Sequence, residues 1–169
     1  MQISPKADAI LFLSILSGRN REHLIGNQVL AAPLVKKIGL EAISTAYLLV
    51  ESGKTTSAEF MSNTRPLPRH KTDIALAHAL AAEILGFKMI YLEAGSGAEL
   101  SIPEEMIGAI TKYCSVPLIV GGGIKTPDTA RQKVQAGAKF IVTGTVFEKD
   151  GNADLMKEFA LAIHHKEKH

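Results

Sequence analysis

Tyr91-Leu92-Glu93-Ala94-Gly95-Ser96-Gly97 is an apolar strand that ends in a carboxylate and opens into a glycine-rich turn. The pattern returns in kind at Val120-Gly121-Gly122-Gly123-Ile124 and at Val142-Thr143-Gly144-Thr145. Backbone N–H groups reach a phosphate only where no side chain stands in the way. Three successive strand ends of this kind therefore point to a grip on a small phosphate ester.

Outward from this stretch, further apolar runs without polar alternation occupy Ala9 to Ile15, Ala42 to Val50, Lys88 to Leu92, Leu118 to Val120 and Phe140 to Val142. Such runs suit parallel strands buried on both faces. Helical stretches lie between them: His23 to Ile38, Thr72 to Leu85 and Thr126 to Ala136 stop at Gly39, Gly86 and Gly137. Thr126-Pro127-Asp128 and Pro103-Glu104-Glu105 read as helix starts, and a last helix is expected from about Ala153 to Ile163. A strand and a helix alternate five times with no linker, so the chain reads as a single α/β domain over residues 1–169.

Such repeats build either a doubly wound sheet or a (β/α)8 barrel. The barrel is favoured because Gly122, Gly123, Gly144 and Thr145 fall at the ends of the last two strands, where barrels hold phosphate. The segment from Ser52 to Lys71 has no apolar period and is expected to be an irregular, mobile loop over the site.

Composition narrows the classes of function. A chain of 169 residues with 46% hydrophobic content can bury a real core, and a net charge of +2 with mixed signs offers no broad cationic face for nucleic acid. The lone Cys114 supports no disulfide framework, which favours a reducing, cytoplasmic compartment. No segment reaches the ~18 apolar residues of a membrane span. Met1-Gln2-Ile3-Ser4-Pro5 lacks the features of a signal peptide, and the histidines of the tail 164–169 read as a solvated end rather than a metal site.

Glu93 is the sharpest single residue. Its strand is otherwise apolar, so a carboxylate there costs desolvation unless something uses it; a salt bridge at a barrel rim is the alternative. Tyr91, two residues earlier, shares its side of the strand, and the pair can bind the hydroxyls of a small polyol while Glu93 accepts a proton. The glycines have a bland reading as well, since they also permit tight turns. Arg19 and Asn20 follow the first strand and suit either contact with a diphosphate or capping of the next helix. Glu51, Ser52 and Gly53 give a weaker signal at the second strand end. Arg65, Arg69, His70 and Lys71 make the long segment locally cationic, and His78 reads as a packed, neutral histidine.

Tyr91 to Gly97, followed by Ile119 to Ile124 and Val142 to Thr145, resembles the geranylgeranylglyceryl phosphate synthase family, as do Ala7 to Ser14 and Ser17 to Asn20. The resemblance implies a TIM barrel that transfers a geranylgeranyl group from its diphosphate to the 3-hydroxyl of sn-glycerol 1-phosphate, with magnesium assisting departure of diphosphate. It implies that Tyr91, Leu92, Glu93, Ala94, Gly95, Ser96 and Gly97 hold the glycerol phosphate. Glu93 is the catalytic residue on its hydroxyl, and Gly122, Gly123, Gly144 and Thr145 cradle its phosphate. A complete barrel needs about 250 residues, so the chain is expected to cover about the last five β/α units. The magnesium ligands then lie in strands it lacks. Homo-oligomerisation and peripheral membrane contact through the lipid product are further expectations. Two alternatives stay open: a phosphate-binding fragment without catalysis, and another phosphate-binding barrel enzyme.

Overall fold

All five apolar runs form strands: β1 (Ala9–Ile15), β2 (Glu41–Leu49), β3 (Met89–Glu93), β4 (Leu118–Gly121) and β5 (Phe140–Val142). The structure is a computed structural model and describes residues 3, 4, 6–148 and 153–164. Met1, Gln2 and Pro5, weighed above as part of a leader, and the tail histidines His165 and His169 lie outside the described residues. The strands make one parallel sheet in the order β1-β2-β3-β4-β5. A doubly wound sheet reverses its order at a switch point, whereas an unbroken sequential order is that of a barrel wall.

The register assigns the two faces. Ala46, Leu48, Ile90, Leu92, Leu118 and Val120 point one way, and all are within 1% of complete burial. They meet α3 (Thr72–Ile84) through Ala75, Ala79 and Ala82, α4 (Glu104–Tyr113) through Met106, Ile107 and Ile110, α5 (Pro127–Gln135) through Ala130, and α6 (Ala153–His164) through Phe159. The small alanines of α3 let the helix lie close on the sheet, and the branched residues of α4 fill the space beside it. Burying one such side chain contributes about 1.5–3 kcal/mol. The opposite face carries Thr45, Tyr47 and Leu49, then Tyr91 and Glu93, then Ile119 and Gly121, then Phe140 and Val142. On that face Phe140 is 48% and Val142 41% exposed.

Two local differences from the sequence reading have physical causes. The chain enters α1 (Asn27–Ile38) through a π-helical turn at Glu22–Gly26, so the regular helix starts later than His23; its end at Gly39, φ +70°, is as expected. The segment from Ser52 to Lys71 is irregular over most of its length but not throughout. It holds the short helix α2 (Ser57–Ser62), whose first turn is capped by the Thr56 hydroxyl accepting from the Glu59 N–H, and Leu67 bridges in parallel to Val50. Ser52, Thr56, Ser62, Thr64 and Leu67 are all buried, so the segment is packed structure. A six-residue helix is too short to leave a readable period.

Candidate functional site

β3 delivers Glu93 to the carboxyl end of the sheet, opposite Leu49 on one side and Gly121 on the other. The residue is 8% exposed. Oε1 accepts the Gly95 N–H at 2.7 Å, and the Tyr91 hydroxyl donates to the same carboxylate. Burial pushes the Glu93 carboxyl above its ordinary range, against the pull of these two donors. Tyr91 stands edge-on to Tyr47 of β2, its register partner, with ring centroids 5.3 Å apart at 68°. Burial, and then the Glu93 charge, raise both phenols well above their usual value. Both tyrosines therefore stay neutral donors beside a carboxylate poised to take a proton.

The turn after β4 closes over this group. A Cβ on Gly121 would lie 2.6 Å from the Tyr91 hydroxyl oxygen and 2.7 Å from Glu93 Oε2, and one on Gly122 would lie 2.5 Å from Glu93 Oε1. Gly122 also adopts φ +80°, where a side chain is strained. The turn after β5 differs, because a Cβ on Gly144 would meet nothing within 4 Å and its backbone is not left-handed. The two turns are tied by the Thr143 hydroxyl, which donates to the Ile124 carbonyl at 3.1 Å.

Together they enclose a cavity of about 390 Å³. Tyr91, Glu93, Ser96, Gly97, Gly122, Gly123, Gly144 and Thr145 line it, eight of the residues singled out in the sequence. Leu92 and Ala94 do not; their side chains lie in the core under the helices, because alternate residues of a strand face opposite ways. Gly95 is buried against Thr56, 2.5 Å from a Cβ built on it. The expectation that the whole run 91–97 faces one ligand is thus narrowed to its alternate members and the turn. Val142 and Thr143 of the third motif line the cavity too, as do Lys125, Val146 and Glu148, which no sequence signal marks. Tyr47 is equally unmarked, since only the β2/β3 register reveals it beside Tyr91.

Arg19 and Asn20 line neither this cavity nor a second one of about 470 Å³, which includes Glu51, Ser52, Gly53, Lys54, Arg65 and His70. Asn20 Oδ1 accepts the Glu22 N–H at 3.1 Å and its amide donates to the Ser62 carbonyl at 2.8 Å, while Arg19 donates to the Gly18 carbonyl at 3.0 Å. The half-buried His78 donates Nδ1–H to the Ile74 carbonyl at 2.8 Å, as a packed histidine does.

Behind the β4 turn, residues 99–102 are clamped by cations. Lys125 donates to the Glu99 carbonyl at 3.3 Å, Arg69 to the Ser101 carbonyl, and the buried Lys133 to the Ile102 carbonyl at 2.6 Å and to the Glu104 carboxylate. Partial burial alone would raise the Glu104 carboxyl, but the Lys133 hydrogen bond and charge outweigh it and hold the group below its ordinary value. The Leu100 carbonyl carbon and oxygen lie 2.7 Å from a Cβ built on Gly123, so this clamped segment is the wall on which the turn rests. Among the described residues, no three His, Cys, Asp or Glu side chains converge as metal ligands, and no helix is long and apolar enough to cross a membrane.

Comparison with known proteins places the chain. The PcrB family profile matches residues 1–163. The geranylgeranylglyceryl phosphate synthase of Flavobacterium johnsoniae is 55% identical over 151 residues, 89% of this chain and 62% of the relative, and that of Thermococcus kodakarensis is 49% identical over 156 residues, 92% and 61%. The crystal structure of (S)-3-O-geranylgeranylglyceryl phosphate synthase from Thermoplasma acidophilum in complex with sn-glycerol-1-phosphate superposes with a TM-score of 0.89 at 39% identity, over 95% of this chain and 65% of that one. The chain thus spans less than two thirds of the length of these relatives, and its sheet corresponds to part of their TIM barrel. On the profile match and these identities, the chain belongs to the PcrB family.

Proposed function

We propose that the cavity between the ends of β3, β4 and β5 holds sn-glycerol 1-phosphate, and that the chain supplies the acceptor half of geranylgeranyl transfer to its 3-hydroxyl. The observation that carries this reading is Glu93: a buried carboxylate, held by Tyr91 and Gly95, at the wall of a cavity rimmed by glycine turns. The glycerol phosphate bound to the Thermoplasma acidophilum relative supports it.

In this reading the polyol hydroxyls meet Tyr91 and Glu93, and the phosphate lies against Gly122, Gly123, Gly144 and Thr145. The bond between prenyl C1 and the diphosphate oxygen breaks with its electron pair leaving on diphosphate. The 3-oxygen bonds to C1, and its proton passes to Glu93. A base whose pKa is raised toward the operating pH is better matched to that transfer than an ordinary carboxylate. The magnesium that the resemblance implies finds no three-donor cluster among the described residues, so no step is assigned to it.

Incubation of the chain with sn-glycerol 1-phosphate, geranylgeranyl diphosphate and magnesium, read by mass spectrometry for the ether product, tests the reading. Product that disappears in Glu93→Gln is the expected result. A second reading, binding without turnover, is favoured by the chain's spanning less than two thirds of its relatives' length; saturable binding of glycerol phosphate with no product would select it. Absence of any binding by the folded chain would remove both.

A further inference from the structure

We infer that Lys125 is the counter-charge for the ligand's phosphate, and so the residue by which this cavity selects phosphorylated over unphosphorylated polyols. The inference rests on the reading of the cavity given above. A phosphate brought there meets two carboxylates on the lining, Glu93 and Glu148. Neutral backbone donors alone leave that repulsion uncompensated. Among the described lining residues, Lys125 is the one cation.

The other basic groups nearby are committed elsewhere. Arg69 and Lys133 donate to the carbonyls of Ser101 and Ile102, with Lys133 also paired to Glu104. Arg131 is paired with Asp128, and Lys54, Arg65 and His70 line the second cavity.

Lys125 is the least committed of these cations. It directly follows the β4 turn, where Ile124 is 4% exposed and has its carbonyl fixed by Thr143, so the backbone is anchored while the lysine side chain is in solvent. Its single described bond, to the Glu99 carbonyl, is long at 3.3 Å. An ammonium has three donors on a flexible four-carbon stem. It can keep one on Glu99 and present another to a phosphate oxygen, joining the ligand to the clamped segment behind the turn.

Titration calorimetry of the chain and of Lys125→Met and Lys125→Arg, with sn-glycerol 1-phosphate and separately with inorganic phosphate, tests this. The methionine variant is expected to bind both ligands about tenfold to a hundredfold more weakly, with a flatter salt dependence, and arginine to recover most of the loss. Its thermal unfolding without ligand should match the wild type, while the upward shift on adding phosphate is lost. Equal affinities in wild type and Lys125→Met would overturn the inference and leave the glycerol phosphate reading intact. Lysine-dependent binding of inorganic phosphate, with glycerol phosphate bound no better, would sustain the inference and overturn that reading. A folded wild type that binds neither ligand would overturn both.

Discussion

The glycine turns after β4 and β5 are neighbours tied by a hydrogen bond, yet the space around their glycines differs. At Gly121, Gly122 and Gly123 the protein itself fills the space a side chain would need, with Tyr91, Glu93 and the Leu100 backbone all under 3 Å from the added carbon. At Gly144 neither a clash nor a left-handed backbone demands glycine. The first turn is built around the carboxylate, and the second leaves open space on the cavity. Glycines that look alike in a sequence can thus stand in places with opposite steric demands.

Gly122→Ala is expected to have the largest effect. A left-handed alanine costs about 1–3 kcal/mol and the collision with Glu93 adds to it, so urea unfolding should show a loss of about 2–4 kcal/mol together with loss of ligand binding. An unchanged unfolding midpoint would mean that the turn yields easily and that its glycines are not structural.

Glu93→Gln separates the two roles inside the first turn. Turnover should fall by roughly a hundredfold to ten-thousandfold, the scale of a lost general base. Stability should move the other way. Burial raises the folded-state pKa of Glu93, so the carboxyl's contribution is fully present below its unfolded pKa and is lost as pH rises through the folded value. At pH 8 the glutamine variant should then be at least as stable as the wild type, with the advantage vanishing near pH 4. The acid limb of the pH–rate profile should lie above the ordinary carboxylate pKa of about 4.3 and be absent from the variant. A variant that unfolds early but turns over normally would make Glu93 structural.

Gly144→Ala is the mildest change. Stability should stay within about 0.5 kcal/mol, while affinity for glycerol phosphate falls about tenfold as the methyl group enters the cavity. Losses in stability like those of Gly122→Ala would erase the distinction between the turns.

Much of this architecture is legible in the residues alone. Buried parallel strands read as unbroken apolar runs, so the runs match β1 and β5 to the residue and β3 and β4 within one. Glu93 stands out because an acid at the end of an apolar strand needs a reason. What stays hidden depends on register and packing. Tyr47 lies far from Tyr91 in sequence and meets it only through strand pairing. Lys125 reads as one more surface lysine until the cavity shows it as a lone cation among the described lining residues. Leu92 and Ala94 share a motif with Glu93 but not its face, and a motif read as a block cannot show that. The helix in the 52–71 segment leaves no trace in the pattern because its cap and six residues carry no apolar period.

If the cavity at the ends of β3, β4 and β5 recognises glycerol phosphate, calorimetric titration of the chain with sn-glycerol 1-phosphate, beside Gly144→Ala, must show it. Saturable binding of one ligand per chain is expected, about tenfold weaker in a variant that unfolds at the same temperature. A folded chain with no measurable binding, or one whose affinity ignores the added methyl group, would contradict it.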